Sequence, residues 1–260
     1  MDIIVTYRGA NADRRANLRA VLRHLDRTYE DYTLWLLEAD RAPTFNWGEL
    51  ADEKVRHVFI YDAGPFPKAK LCNMGMRLTR SAIVCLHDSD MIAPPAIMKF
   101  CVDDLLNRGA TDVWCPFEHI VNVAGELREQ FSATGDFSLL DPYRETHAPF
   151  ATDMTLLYDS NSGGINLMRR ETFQLIGGFD DRFTGWGGED NDILCRARRL
   201  NIRWHSIAAR RMFHLHHDSP SRVGWSEQPH SADNCNRAND ALSLNDAEFR
   251  AHVERLRTQL

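Results

Sequence analysis

No apolar run in this chain approaches the ~18 residues that a membrane-spanning helix needs, so an integral membrane segment is not expected. Room for a secretory leader is missing too, because the strand-like Asp2-Ile3-Ile4-Val5-Thr6-Tyr7 begins at once. The expectation is a soluble, cytoplasmic chain, compatible with peripheral contact at the inner face of a membrane. No Cys-x-x-Cys pair occurs among the six cysteines (72, 85, 101, 115, 195 and 235), and several lie in apolar runs. They read as reduced core residues rather than a disulfide framework. An excess of positive charge is also lacking. A net charge of −6 and a pI near 6.0 argue against nucleic acid as a partner, since phosphate backbones require a basic surface. One local basic cluster, Arg196 to Arg199 with Arg203, Arg210 and Arg211, fits either phosphates or acidic headgroups, or simply a solvated face. Internal repeats and low-complexity segments are absent.

What is present is a chain of 260 residues, 43% apolar and 26% charged, enough for one large core or two small ones, and it reads as one domain with a C-terminal extension. The first half alternates short apolar runs with helical periods, the signature of an α/β domain around a mostly parallel sheet. Strands are expected near 2–7, 32–39, 55–61, 82–87 and 111–117. Leu18, Val21, Leu22 and Leu25 mark one helix, Leu71, Met74, Gly75 and Leu78 another, and Ile97, Cys101 and Leu105 a third. Residues 118–160 show no clear period and read as a long, partly ordered excursion near the site. Beyond it come Gly163–Met168, a helix over 170–176, a glycine-rich segment, another helix, and a strand near 203–213. The catalytic unit is assigned to residues 1–217 and a C-terminal extension to 218–260. The extension begins as an irregular polar tail and ends in a helix opened by a capping box at Asn245-Asp246-Ala247-Glu248.

The densest chemistry lies in Gly185-Trp186-Gly187-Gly188-Glu189-Asp190-Asn191-Asp192. Glycines let a backbone approach a ligand, an indole offers a flat apolar wall, and the acids open an amphipathic helix read from Ile193, Ala197 and Leu200. Carboxylates beside a ring-sized wall suit proton abstraction from a sugar hydroxyl. Acids at a helix start also favour the macrodipole, which is the plainer reading of Glu189 or Asp190 taken alone.

A second constellation follows the buried-strand run Ala82–Leu86, in His87-Asp88-Ser89-Asp90. At the carboxyl end of a parallel strand such a pair of carboxylates can reach one cation, with Mg²⁺ or Mn²⁺ favoured by oxygen ligands. Met212-Phe213-His214-Leu215-His216-His217-Asp218 supplies imidazoles that shift the preference towards Mn²⁺. On an extended strand His214 and His216 share a face and His217 points away. At the first strand's end, Thr6-Tyr7-Arg8 offers a hydroxyl, an aromatic face and a guanidinium that suit a base and a phosphate, or a simple strand-end charge.

In this order the pieces resemble the β-1,4-galactosyltransferase family and its bacterial relatives, metal-dependent glycosyltransferases of the GT-A fold. Phe66-Pro67-Lys68-Ala69-Lys70-Leu71-Cys72-Asn73-Met74-Gly75 is similar to the family's Phe-Asn-Arg-Ala-Lys-Leu-Leu-Asn-Val-Gly helix. Asp88-Ser89-Asp90 takes the place of its Asp-Val-Asp, and Gly163-Gly164, Gly177-Gly178-Phe179 and Gly185 to Asp192 match further elements in sequence order. The resemblance implies a GT-A (Rossmann-like) nucleotide-diphospho-sugar transferase fold, a mostly parallel central sheet with flanking helices. It implies that Asp90 ligates the metal with Asp88 beside it at the nucleotide, and that Asp190 is the general base with Glu189 orienting the acceptor. Trp186 would wall the sugar, and Thr6, Tyr7, Arg8, Lys70, Asn73 and Gly164 would line the UDP-sugar site.

Two departures stand out. The family's late ligands are a Met and a His three residues later, whereas the third residue after Met212 is Leu215, so His214 or His216 is expected to replace that histidine. Where galactose-selective members carry Tyr-Phe, this chain has Asn161-Ser162, leaving room for a 2-acetamido sugar. The expectation is an inverting transferase that moves a hexose or N-acetylhexosamine from a UDP-sugar to a soluble or lipid-linked glycan, using Mn²⁺ or Mg²⁺. The alternatives are a metal-dependent sugar-nucleotide hydrolase or phosphoesterase, and a non-catalytic carbohydrate or nucleotide binder.

Overall fold

A computed structural model describes residues 1–46, 53–160, 163–185, 187–218 and 229–260. Its centre is β1 (Asp2–Tyr7), whose six residues are all buried, as expected of a strand covered on both faces. Parallel partners flank it: β2 (Thr33–Asp40) on one side, continued by β3 (Val55–Tyr61), and β4 (Ile83–Asp88) on the other. Beyond β4 lie β9 (Ile165–Arg169), β6 (Val113–Cys115) and β10 (Trp204–Ser206), giving the order β10-β6-β9-β4-β1-β2-β3. Only β9 runs against the rest, antiparallel to both β4 and β6.

Period-two alternation divides the core between the two faces of this sheet. Ile3, Val5 and Tyr7 pack beneath α1 (Ala12–Thr28) and α3 (Pro95–Leu106), through Leu18, Leu22 and Leu25 and through Met98, Cys101 and Leu105. On the other face Ile4, Leu37 and Val84 meet α2 (Lys68–Leu78), α5 (Arg170–Ile176) and α6 (Glu189–Arg199). The helical and strand expectations for residues 1–117 therefore hold within a few residues. Cys72, Cys85, Cys101 and Cys115 are buried and unbridged.

Three expectations need correction. Residues 118–160 carry regular structure: β7 (His119–Val123), α4 (Gly125–Thr134) and β8 (Met154–Tyr158). Each is too short, or too exposed, to print a period. β8 buries only its first residue, and α4 only Phe131. The strand expected near 203–213 is two strands, β10 and β11 (Arg211–Leu215), separated by a turn in which Ala209 takes φ 58. They belong to different sheets, for β11 joins β5 (Met91–Ile92), β7 and β8 in a second sheet ordered β5-β11-β7-β8. The polar tail holds α7 (Ser231–Ser243), which packs on α6; residues 219–228 lie outside the description. The terminal helix, α8 (Asp246–Arg257), opens on the expected capping box: the Asn245 side chain accepts from Ala247 and Glu248 N–H, while Glu248 accepts from Asn245 N–H. Among the described residues no helix is long and apolar enough to cross a membrane.

α6 carries the glycine-rich segment's acids and is anchored from within. Arg196 is 1% exposed and donates from Nε and Nη2 to Asp192 Oδ2 at 3.0 and 2.8 Å, and from Nη1 to the Ile176 carbonyl at 2.6 Å. Removing one partner strands the other charge in the core, a cost of about 3–5 kcal/mol. Asp192→Ala is accordingly expected to lose about that much in urea unfolding; a loss below about 1 kcal/mol would show that the pair does not anchor the helix.

Candidate active site

The site lies at the carboxyl edge of the large sheet, where β1 and β4 end side by side. Parallel register sets Thr6 opposite Asp88, and the Asp88 N–H donates to the Gly164 carbonyl at 2.8 Å, fastening β4 to the segment that leads into β9. A pocket here is lined by Thr6, Lys68, Cys72, Asp88, Gly164 and Asp190, among others. Its acids come from two distant stretches of chain. Asp88 ends β4, while Glu189 and Asp190 form the first turn of α6 behind Gly188, which takes φ +93, a conformation that favours glycine. Gly163 is needed for a different reason. A Cβ there would lie 2.1 Å from Asp190 Oδ2, so any side chain would displace the carboxylate.

Lys68 joins these groups. Its Nζ lies 3.0 Å from Asp190 Oδ2, 3.3 Å from Asp88 Oδ1 and 3.4 Å from Glu189 Oε1. Burial by itself would lower the ammonium's proton affinity, but the three carboxylates outweigh it and push the Lys68 pKa well above its ordinary value. Asp88 moves up to about 7, because burial and the negative charges of Asp190, Asp90 and Glu189 outweigh the attraction of Lys68. Burial and Asp190 likewise raise Glu189. Lys68 is not among the residues that the sequence motifs name, which include Lys70 instead. Helical phase separates the two: Lys68 shares a face with buried Cys72, Gly75 and Met76, whereas Lys70 is exposed. That phase was readable without a structure.

A second centre adjoins this one. β5 follows Asp90 at once and pairs antiparallel with β11, setting Met91 opposite His214, and the Leu215 N–H donates to the Asp90 carbonyl at 2.8 Å. Asp90, His214 and His217 thereby offer ligand atoms that all lie within 4.8 Å of one another, and all three are buried or nearly so. Burial alone would raise the Asp90 pKa, but the hydrogen bond to His217, at 3.1 Å, with His214 and Arg14 nearby, holds it well below the usual carboxylate range. One carboxylate and two imidazoles form a donor set suited to Mn²⁺ over Mg²⁺.

The expectation for the late histidines is corrected in one respect. His217 joins Asp90 and His214, while His216 and Asp88 stand outside the group. Strand alternation failed because β11 ends at Leu215, and beyond it the chain turns His217 back towards Asp90. The three-residue spacing is nevertheless present, from His214 to His217, once the count starts two residues after Met212. His216 Nδ1 instead lies 3.1 Å from Asn122 Nδ2. Asp88 turns towards Lys68.

The remaining expected residues divide. Thr6 and Gly164 line the pocket. Tyr7 points to the opposite face of the sheet, where its hydroxyl accepts from Thr44 Oγ1 at 3.4 Å. Arg8 donates to the carbonyls of Ala39 and Gly64, each at 2.7 Å, and to Asp62 Oδ1, with its guanidinium over the Phe66 ring; it braces the approach to α2. Asn73 is buried, clamping Phe179 N–H and C=O and accepting no place in the pocket lining. Trp186, Asn161 and Ser162 lie outside the described residues.

Comparison with known proteins accords with this geometry. A family model for the N-terminal domain of galactosyltransferase matches residues 146–218, the stretch from the second sheet through both glycine segments to the histidines. A β-N-acetyl-D-glucosaminide β-1,4-N-acetylglucosaminyltransferase from Lymnaea stagnalis is 36% identical over 231 residues, 88% of this chain and 36% of its own length. Mouse β-1,4-galactosyltransferase 4 is 35% identical over 57 residues, 22% of this chain and 15% of the relative. The chain thus spans about a third or less of these relatives. Among solved structures, glucosyl-3-phosphoglycerate synthase from Mycobacterium tuberculosis superposes with TM-score 0.57 at 15% identity, over 94% of this chain and 79% of the other. Drosophila β-1,4-galactosyltransferase 7, solved with manganese, UDP-galactose and xylobiose, gives 0.51 at 16%, over 91% and 79%. These two likenesses establish the fold, which is GT-A. Identity to the snail enzyme runs over 88% of this chain and the galactosyltransferase model falls on its site segments, so the chain is similar to the β-1,4-galactosyltransferase-like proteins and has their GT-A fold.

Proposed function

We infer that this protein is a metal-dependent, inverting glycosyltransferase that moves a hexose or N-acetylhexosamine from a UDP-sugar to a hydroxyl of a glycan. The observation that carries the reading is the junction of two centres at one sheet edge: a cation-type set of Asp90, His214 and His217 beside a carboxylate set of Asp88, Glu189 and Asp190. The Drosophila relative of the same fold was solved with manganese, UDP-galactose and a disaccharide, which supports the same class of ligands here.

Asp90, His214 and His217 would hold a divalent cation, which when bound neutralises charge on a departing diphosphate. Asp190, fixed on the first turn of α6 and held by Lys68, takes the proton from the acceptor hydroxyl as that oxygen attacks the anomeric carbon. Glu189, one residue earlier on the same turn, orients the acceptor. Bringing the two reactants into line is the larger part of the task, and the rigid seating of α6 through Asp192 and Arg196 serves it. A sugar-nucleotide hydrolase would use the same carboxylates on water; transfer of sugar to a glycan acceptor without matching release of free sugar separates the two.

The donor reading rests on Asn161 and Ser162, small side chains where galactose-selective relatives have aromatic bulk. It gains support from the snail relative, which is described as an N-acetylglucosaminyltransferase.

Three outcomes are expected. Asp90→Ala, His214→Ala and His217→Ala each abolish Mn²⁺-dependent UDP binding in calorimetry, whereas His216→Ala weakens it far less; equal losses in the His216 and His217 variants would return His216 to the ligand set. Asp190→Asn lowers kcat by roughly 10²–10⁴-fold with donor affinity near that of the wild type. Transfer at near-normal rate by this variant would move the base to another group. Finally, kcat/KM for a UDP-N-acetylhexosamine is expected to equal or exceed that for UDP-galactose, and Asn161→Tyr to shift the ratio towards galactose; a ratio indifferent to the substitution would place donor choice elsewhere.

A further inference from the structure

His216 stands two residues from one member of the cation-type set and next to another, yet its ring is turned towards an amide on a neighbouring strand. β7 and β11 run parallel, and their register sets His214 directly opposite Asn122. Asn122 is 8% exposed, and its amide touches both imidazoles of alternate residues on β11. His214 Nδ1 lies 3.0 Å from Asn122 Oδ1, and Asn122 Nδ2 lies 3.1 Å from His216 Nδ1.

An amide oxygen only accepts and an amide nitrogen only donates, so the arrangement fixes a proton on each ring. Facing Oδ1, His214 carries its proton on Nδ1 and turns the lone pair of Nε2 towards Asp90 Oδ2, 3.9 Å away. Facing Nδ2, the neutral His216 ring must keep Nδ1 bare and carry its proton on Nε2. Were the amide reversed, Nδ1 of His214 would accept, its proton would move to Nε2, and that nitrogen would be lost as a ligand. The bond to His216 opposes this reversal, because Asp218 Oδ1, 4.0 Å from His216 Nε2, favours the proton on that nitrogen and leaves Nδ1 to accept from the amide N–H. His217 also directs Nε2 at Asp90 Oδ2, 3.1 Å away, with Nδ1 3.4 Å from the Asp218 carbonyl.

We propose that Asn122 is the positioning residue of the cation centre, holding His214 in the tautomer that presents Nε2, and that His216 serves the centre by orienting Asn122 rather than by ligating. The inference rests on the reading of Asp90, His214 and His217 as a cation site. It adds two residues that act through His214, one from the excursion between β6 and β9 that sequence left unassigned. Partners of ligating histidines at this remove typically account for 10- to 100-fold in metal affinity.

The test compares wild type, Asn122→Leu, Asn122→Asp, His216→Leu and Asp90→Ala. Long-range ¹H–¹⁵N spectra of the metal-free proteins, at a pH where imidazoles are neutral, read the tautomer of His214. Mn²⁺ affinity is read separately by electron paramagnetic resonance. Asn122→Leu is expected to populate the Nε2–H form and lower affinity 10- to 100-fold. Asn122→Asp keeps an acceptor and is expected to retain the wild-type tautomer and affinity within a few-fold. His216→Leu, at a partly exposed position, is expected to mix the tautomers and lower affinity several-fold, so it carries the test if Asn122→Leu does not fold. Wild-type tautomer and affinity in the Asn122→Leu or the His216→Leu protein would overturn the proposal while leaving the cation site standing. Undiminished affinity in Asp90→Ala would remove the cation site itself, and Asn122's role with it.

Discussion

Three carboxylates within hydrogen-bonding reach of one ammonium set the terms for everything else at the sheet edge. Asp88, Glu189 and Asp190 come from stretches of chain a hundred residues apart, and bringing them together would be prohibitive if Lys68 did not stand between them. The cluster therefore ties α2, β4 and α6 to one point. Gly163 has no side chain because Asp190 fills the space, and Gly188 turns left-handed because α6 must begin there. The buried pair Asp192–Arg196 then anchors the same helix one turn deeper, so the acids at the mouth and in the core are met by separate cations.

The sequence showed the large sheet well and the small one poorly, for a physical reason. β1 and β4 are buried on both faces and print continuous apolar runs, and α1 and α2 print a helical stripe against them. β7, β8 and β11 are five residues each, and β8 turns Thr155 to Tyr158 outward, so neither run length nor alternation marks them. The pairings that make the second sheet, β5 with β11 and β11 with β7, join residues about 90 to 120 positions apart, and no local pattern encodes them.

The same distinction applies at the site. Motifs located Asp88, Asp90, Glu189, Asp190 and the histidine cluster, because each is a dense local signature. Which histidine faces Asp90 was not local: it depended on where β11 stops and on which strand lies beside it. Lys68 is the opposite case. Its helical phase with Cys72 and Met76 is a local pattern, and that phase separates it from the exposed Lys70 two residues on.

Sequence separation also bears on how the chain acquires its chemistry. Asp90 and His217 stand 127 residues apart, and Lys68 and Asp190 122, so both clusters close only after most of the chain has been made. β1, β2, β3 and β4 can pair as soon as the first ninety residues exist, since they need only neighbouring crossovers. Until then Asp88 and Asp90 lack the α6 acids and the histidines that shift them. Their unusual proton affinities are properties of the finished molecule, and arrive only once α6 stands beside Asp88 and His214 and His217 beside Asp90.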